Sequence, residues 1–321
     1  MNRARAFLIL GVLMLASRSA SAAPTAFAAA LDERWDYAAP AVSEQRFRQE
    51  LARWPDDTPQ ALEIETQIAR AQGLQRRFGD ATATLARVER RLDGMPSHVR
   101  VRYLLERGRV FNSAGAPEKA VPLFAAALEL AECEGDAFYA IDAAHMMGIA
   151  GPAAEHLEWN LKAIAMTERA PDARSKRWLS SLYNNVGWTY DERGESARAL
   201  DHFRKALTAW EARGGDDNIR IARWAVAHGL RRTGELDEAE RIQNALRAEH
   251  ERNGTVDGYV FEELAEIHLA RGKADDARPW FEKAYAALHD DASLQVNEPA
   301  RLQRLADLGE VATATHARGA R

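Results

Sequence analysis

Apolar residues along this chain recur three and four positions apart, in runs that come two by two with a short polar break between them. That spacing lays them on one stripe of a helix, so the runs predict amphipathic helices. The clearest pair extends from Ser180 to Trp210. Its first run carries Tyr183, Val186, Gly187 and Tyr190; after a break at Gly194 its second carries Ala199, Leu200, Phe203, Ala206 and Leu207. Two antiparallel helices can approach closely where small residues such as Gly187 and Ala199 face each other, and Phe203 fills the gap beside them.

The same slots return at a nearly even pitch. Gly79, Gly115, Gly151, Gly194, Gly234 and Gly272 each follow one apolar run and precede another, at spacings of 36, 36, 43, 40 and 38 residues. Intervals of this size mark a repeat of helix pairs, with the length of one loop varying. Leu104, Gly108, Phe111, Ala120, Phe124 and Ala127 form a second good unit; Phe261, Leu264, Ala265, Ala277, Phe281 and Ala284 form the last, with His268 at an aromatic slot. Around Gly234 the pattern keeps Val226, Ala227, Leu230 and Ala239 but puts Gln243 in the bulky slot, with Ile242 and Leu246 in partial compensation. The unit at Gly151 offers Ala140, Ala144, Met147, Leu157, Ala163 and Ile164, and the first unit offers Ile68, Ala71, Leu85, Val88 and Leu92. Pro122 and Pro279 fall in the opening turns of second helices, where a missing amide forfeits little.

Slot for slot between Ser180 and Trp210, and less fully elsewhere, this pattern resembles the tetratricopeptide repeat family. The resemblance implies an all-α fold: a right-handed superhelical solenoid of antiparallel helix pairs, about six repeats over residues 58–290, with capping helices at both ends. Residues 23–57 read as a linker and an N-terminal capping helix, Ser43 to Arg53, with Phe47 and Leu51 turned inward between Pro40 and Pro55. Thr58 followed by Pro59 reads as a cap with proline at the first helical position. Residues 291–321 supply a C-terminal cap, Pro299 to Ala312, with Leu302, Leu305 and Leu308 on one face, and then a tail expected to fray.

Residues 1–22 stand apart. Arg3 and Arg5 precede an apolar stretch, Ala6 to Ala16, and Ala20-Ser21-Ala22 supplies small residues for cleavage, the signature of a secretory signal peptide. Eleven residues fall short of the roughly 20 that a bilayer span needs, so the expectation is a periplasmic or secreted protein with no membrane span after cleavage. The formal net charge of −5 becomes −8 once three arginines of that stretch are removed, which disfavours nucleic acid as a partner. Cys133 is the single cysteine, so no intramolecular disulfide can form.

Chemistry-bearing motifs are sparse: no glycine-rich phosphate loop, cysteine pair, serine elbow or two-histidine zinc helix is present, which points to a non-enzyme without cofactor or metal. In the resembled family the first helix of each pair lines the concave side. The slots left over from packing then give Arg70, Arg76, Arg102 and Arg109; Asp142 and His145; Asn184, Asn185, Trp188 and Asp191; Trp224, His228 and Arg231; and Tyr259, Glu262, Glu263 and Glu266. Charge along this groove is expected to change sign from arginine to glutamate. By resemblance Asn185 would hydrogen-bond a ligand's backbone, while Trp188 and Trp224 offer flat apolar area at low entropic cost. Capture of a C-terminal acid by the family's carboxylate clamp is not expected, since Ile221, Ala225, Ile141 and His145 replace its basic and amide groups. The function expected is a scaffold or adaptor of the cell envelope that binds an extended peptide or helix of a protein partner. The alternatives are a small-ligand or metal-dependent activity centred on Glu262, Glu263 and Glu266, or a homotypic spacer.

Overall fold

The computed structural model describes residues 26–311, and every regular element among them is a helix. The expected signal peptide and the tail from Thr313 lie outside these residues. Two short N-terminal helices, α1 (Ala26–Asp32) and α2 (Pro40–Leu51), precede three helix pairs: α3 (Pro59–Leu74) with α4 (Phe78–Glu89), α5 (Ser97–Ser113) with α6 (Pro117–Glu134), and α7 (Ala137–Ala150) with α8 (His156–Arg169). A single-turn α9 (Ala173–Lys176) follows. Three more pairs come next: α10 (Leu179–Glu192) with α11 (Ser196–Arg213), α12 (Asp216–Thr233) with α13 (Leu236–Arg252), and α14 (Gly258–Ala270) with α15 (Ala274–Leu288). Helices α16 (Ala292–Asn297) and α17 (Pro299–Leu308) close the series. The chain divides into two compact units, one ending at Ala143 and one beginning at Ala144.

In unit 1 the first two pairs share a core of Leu62, Ala69, Leu85, Val88, Val99 and Tyr103. Phe47 of α2, fully buried with Leu31, Ile64 and Ile68, covers the outer side of α3, as the capping reading required. The cap at Thr58 forms: its hydroxyl accepts from the Ala61 amide at 3.2 Å, ahead of Pro59. In unit 2, Leu302 and Leu305 of α17 join Ala265, Phe281 and Leu288, closing the last pair.

Interlock within a pair follows the small-against-large rule. An added methyl on Gly108 would meet the Phe124 ring at 2.4 Å, and one on Gly187 would meet Phe203 at 2.5 Å. Gly148 meets Asn160 instead, which explains why the third pair reads weakly in sequence. Gln243 is fully buried in its bulky slot, and neither end of its amide finds a hydrogen-bond partner. The turn glycines need correction at two of six places. Gly115, Gly194, Gly234 and Gly272 have φ near +80° and close their turns in the left-handed region. Gly79, however, lies inside α4, and the first turn is made by Arg76 at φ 60°. Gly151 leads into Pro152 and a short 3₁₀ turn without a positive φ.

These geometries give opposite expectations for two glycines. Gly187→Ala forces its methyl into Phe203 and should destabilise by about 1–3 kcal/mol despite better helix propensity. Gly79→Ala, with nothing within 4 Å of the added carbon and a helical backbone, should stabilise by about 0.5 kcal/mol. Urea unfolding of the two variants measures both; equal signs would refute the interlock.

Candidate functional site

On the face that the first helices present, unit 1 gathers more partners for its arginines than the sequence foretold. Arg102 of α5 is only 2% exposed. Its guanidinium meets Glu63 of α3 at 2.9 Å and Asp32 of α1 at 3.3 Å, and it lies over the ring of Tyr139. Arg109 pairs with Glu106 at 2.8 Å and with Asp142 of α7. Burial disfavours charge on both, yet Tyr139, Glu63 and Asp32 raise the Arg102 pKa, and Asp142 and Glu106 raise that of Arg109. Burial pushes Glu63 up, but hydrogen bonding from His98 and the Arg102 charge bring it below the ordinary carboxylate value. Arg76 belongs to the α3–α4 turn rather than to this face. An open basic surface at this end is therefore corrected to a row of matched ion pairs.

Unit 2 brings its expected residues into one stripe. Helical spacing puts Asn184, Asn185, Trp188 and Asp191 along one side of α10, and Trp224, His228 and Arg231 along one side of α12. The Trp188 and Trp224 rings lie 5.9 Å apart, and the His228 ring lies 5.2 Å from the first and 5.7 Å from the second. All three are half-buried. Trp188 rests also on Phe203 at 4.9 Å, whereas the Trp224 indole donates to the Tyr259 carbonyl at 3.0 Å. One end of the Asn185 amide is tied to Nε2 of His145 at 2.9 Å, leaving a single end to meet a ligand rather than the donor–acceptor pair implied by resemblance. Asn184 makes no side-chain hydrogen bond among the described residues.

Both nitrogens of His228 face carboxylates: Nε2 lies 3.1 Å from Asp191 and Nδ1 lies 3.3 Å from Glu263. Arg231 binds Glu263 at 2.5 Å and Arg232 binds Asp191 at 3.1 Å. Glu262 pairs with Arg301 at 2.7 Å and Glu266 with Arg304, both arginines coming from α17. The acidic cluster is thus neutralised group by group. Burial lowers the His228 pKa, but the Glu263 hydrogen bond and charge, with Asp191, outweigh it and raise the net value. Burial raises Glu263, and the His228 hydrogen bond with the Arg231 charge brings it below its ordinary value. A carboxyl held ionised in this way is a poor proton donor. No group of three or more potential metal ligands is assembled among the described residues.

Ile221, named from the sequence only as a replacement in the clamp, is 61% exposed, stands one turn before Trp224 and extends the apolar stripe. Sequence reading missed four further contributors. Arg301 and Arg304 were hidden on the polar side of a helix read only for its leucines. Trp35 and Tyr37 lie against Arg70 on the unit 1 face, at 5.4 and 5.5 Å. A Trp-x-Tyr pair beside acidic residues was the available signal for the last two.

Residues 179–218 match a family model described as tetratricopeptide repeat, and residues 102–137 match a second one described as tetratrico peptide repeat. No curated protein matches the sequence. Solved structures share the fold at low identity. One is a signal transduction ATPase with numerous domains and a tetratricopeptide repeat sensor from Pyrococcus horikoshii, with TM-score 0.64 and 14% identity; the match covers 85% of this chain and 43% of that one. The apo form of RapI gives TM-score 0.62 at 13% identity, covering 88% of this chain and 83% of that one. The apo quorum sensor NprR from B. thuringiensis gives 0.58 at 17%, covering 88% and 85%.

The His228 geometry sets a pH dependence. Its raised pKa contributes stability in full below the unfolded imidazole value of about 6.5, and that contribution is lost as pH rises through the folded value. Glu263, lowered, contributes above its unfolded value of 4.5 and loses it as pH falls through the folded one. Maximum stability should therefore lie in mildly acidic solution. Thermal melts from about pH 5 to 8 should show a decline toward alkaline pH that His228→Gln flattens; an unaltered slope would rule out the bridge. Two helix pairs of this chain thus match tetratricopeptide repeat models in sequence, and its fold is shared with a structure that carries a tetratricopeptide repeat sensor.

Proposed function

We propose that this protein is a non-catalytic interaction scaffold whose unit 2 face binds an extended segment of a partner protein. The observation that carries this reading is the stripe of Ile221, Trp224, Trp188 and His228, partly open to solvent, while the charges around it are already paired. Such a face offers apolar area and amide groups rather than net charge. Trp224 serves as anchor, since large rigid aromatics carry binding energy at small entropic cost. Asn184, and the remaining end of Asn185, meet the ligand's backbone. The sensors among the similar structures are in keeping with recognition as the task.

Export to the periplasm or beyond belongs to the same reading. Its support is the basic, apolar and small-residue succession of residues 1–22 and the acidic balance of the remainder. Among the described residues no helix is long and apolar enough to cross a membrane.

Selection of a displayed library of unstructured peptides against the full chain tests the proposal. Selected peptides should lose about 30-fold in affinity to the Ile221→Ala/Asn184→Ala variant, the loss typical of a hot spot near 2 kcal/mol, with little change in melting temperature because Ile221 is 61% exposed. Trp188→Ala, by contrast, should cost stability as well, because its ring also packs on Phe203. Selection of no peptide, or equal losses of affinity and stability in the double variant, would overturn it.

A further inference from the structure

The first-helix face of unit 1 already holds a peptide, and that peptide is the chain's own. After α1 the backbone passes over α3 and α5 as Asp32-Glu33-Arg34-Trp35-Asp36-Tyr37. Asp32 reaches Arg102 on α5 at 3.3 Å; the Trp35 indole donates to Gln67 on α3 at 3.0 Å; and the stacked rings of Trp35 and Tyr37 lie beneath the Arg70 guanidinium. A turn holds the segment in place, with Ser43 accepting from the Asp36 amide at 2.8 Å and Asp36 accepting from the Ala38 and Ala39 amides.

Two features set this arrangement apart from ordinary capping. The fully buried closure of the first pair is made by Leu31, Phe47, Ile64 and Ile68, all outside residues 32–37; of the segment only the half-buried Trp35 touches it, with its ring 5.1 Å from that of Phe47. The fit is also incomplete: Nε of Arg70, Nε of Arg102 and Oε2 of Glu106 are buried on this face without a hydrogen-bond partner. A buried polar group without a partner is costlier than a satisfied one, so a better-matched occupant has room to bind more tightly.

We propose that this face is a second recognition surface, distinct from that of unit 2, and that residues 32–37 are a replaceable occupant of it. The occupant states what the surface selects: a carboxylate for Arg102, an indole N–H for Gln67 and flat rings for Arg70, spaced as an acid three residues ahead of a Trp-x-Tyr pair. The partner is a protein segment of that acidic and aromatic kind. In the resting chain the tethered segment competes at an effective concentration on the order of millimolar, so outside ligands bind weakly until it is displaced.

A labelled synthetic peptide of residues 30–39 is the probe, and the full chain is the protein. The Asp32→Ala/Trp35→Ala/Tyr37→Ala variant, which retains Leu31, should bind the probe at least tenfold more tightly than the unaltered chain, and adding Arg70→Ala should abolish the gain. A variant with native circular dichroism that binds no tighter than the unaltered chain would mark the segment as a fixed part of the fold and overturn the proposal. Should the triple variant fail to fold, Asp32→Ala, which removes only a part-exposed carboxylate, carries the same comparison with the same two outcomes.

Discussion

How near two helices can come decides most of what both units look like. An aromatic ring seated on a residue without a side chain, Phe124 on Gly108 and Phe203 on Gly187, draws the two helices of a pair together until no gap remains between them. A pair so joined still has apolar surface on its outer sides, which only another pair or a cap can cover. Stacking follows, and with it the need for α2 and α17 at the two described ends.

Close stacking then governs the charges. First helices of successive pairs stand side by side, so long polar side chains leaving one reach the next at a sequence separation near the repeat length: Arg102 to Glu63 at 39, His228 to Asp191 at 37, Arg231 to Glu263 at 32. Charges this buried must be paired, since an unpaired one carries a desolvation cost of several kcal/mol. In each unit the face that would otherwise attract any ion of the right sign becomes nearly neutral. What remains to discriminate among ligands is shape, ring surface and a few uncommitted amide groups.

The pitch of small and bulky residues made the pairing of helices legible from sequence alone, because close approach tolerates few residue types at those slots. Which face each slot presents was legible for the same reason, and Trp188, Trp224 and His228 do come together. Turn geometry was less legible: a left-handed turn can be made by Arg76 as well as by glycine, so Gly79 gave the right pitch for a different reason. Pairing of charges was not legible, because it depends on which side chain of a neighbouring pair lies within reach. Arg102 reads as a free cation in sequence and is enclosed between Glu63 and Asp32 only after the N-terminal segment folds back.

Neutral faces also bear on the kinetics of recognition. A groove with a strong field draws charged ligands from a distance and binds them less well as salt rises; one whose charges cancel within a few ångströms has little reach beyond a Debye length of about 8 Å. If the unit 2 face binds as proposed, association there is governed by fit and by desolvation of Trp224 and Ile221, so it should vary little with ionic strength. The unit 1 face differs. Its occupant contributes the Asp32 carboxylate to balance Arg102, and removing that segment uncovers a guanidinium with one partner fewer. Salt would therefore weaken binding there and leave the other face nearly untouched, a contrast that follows from where the balancing carboxylate sits in the chain.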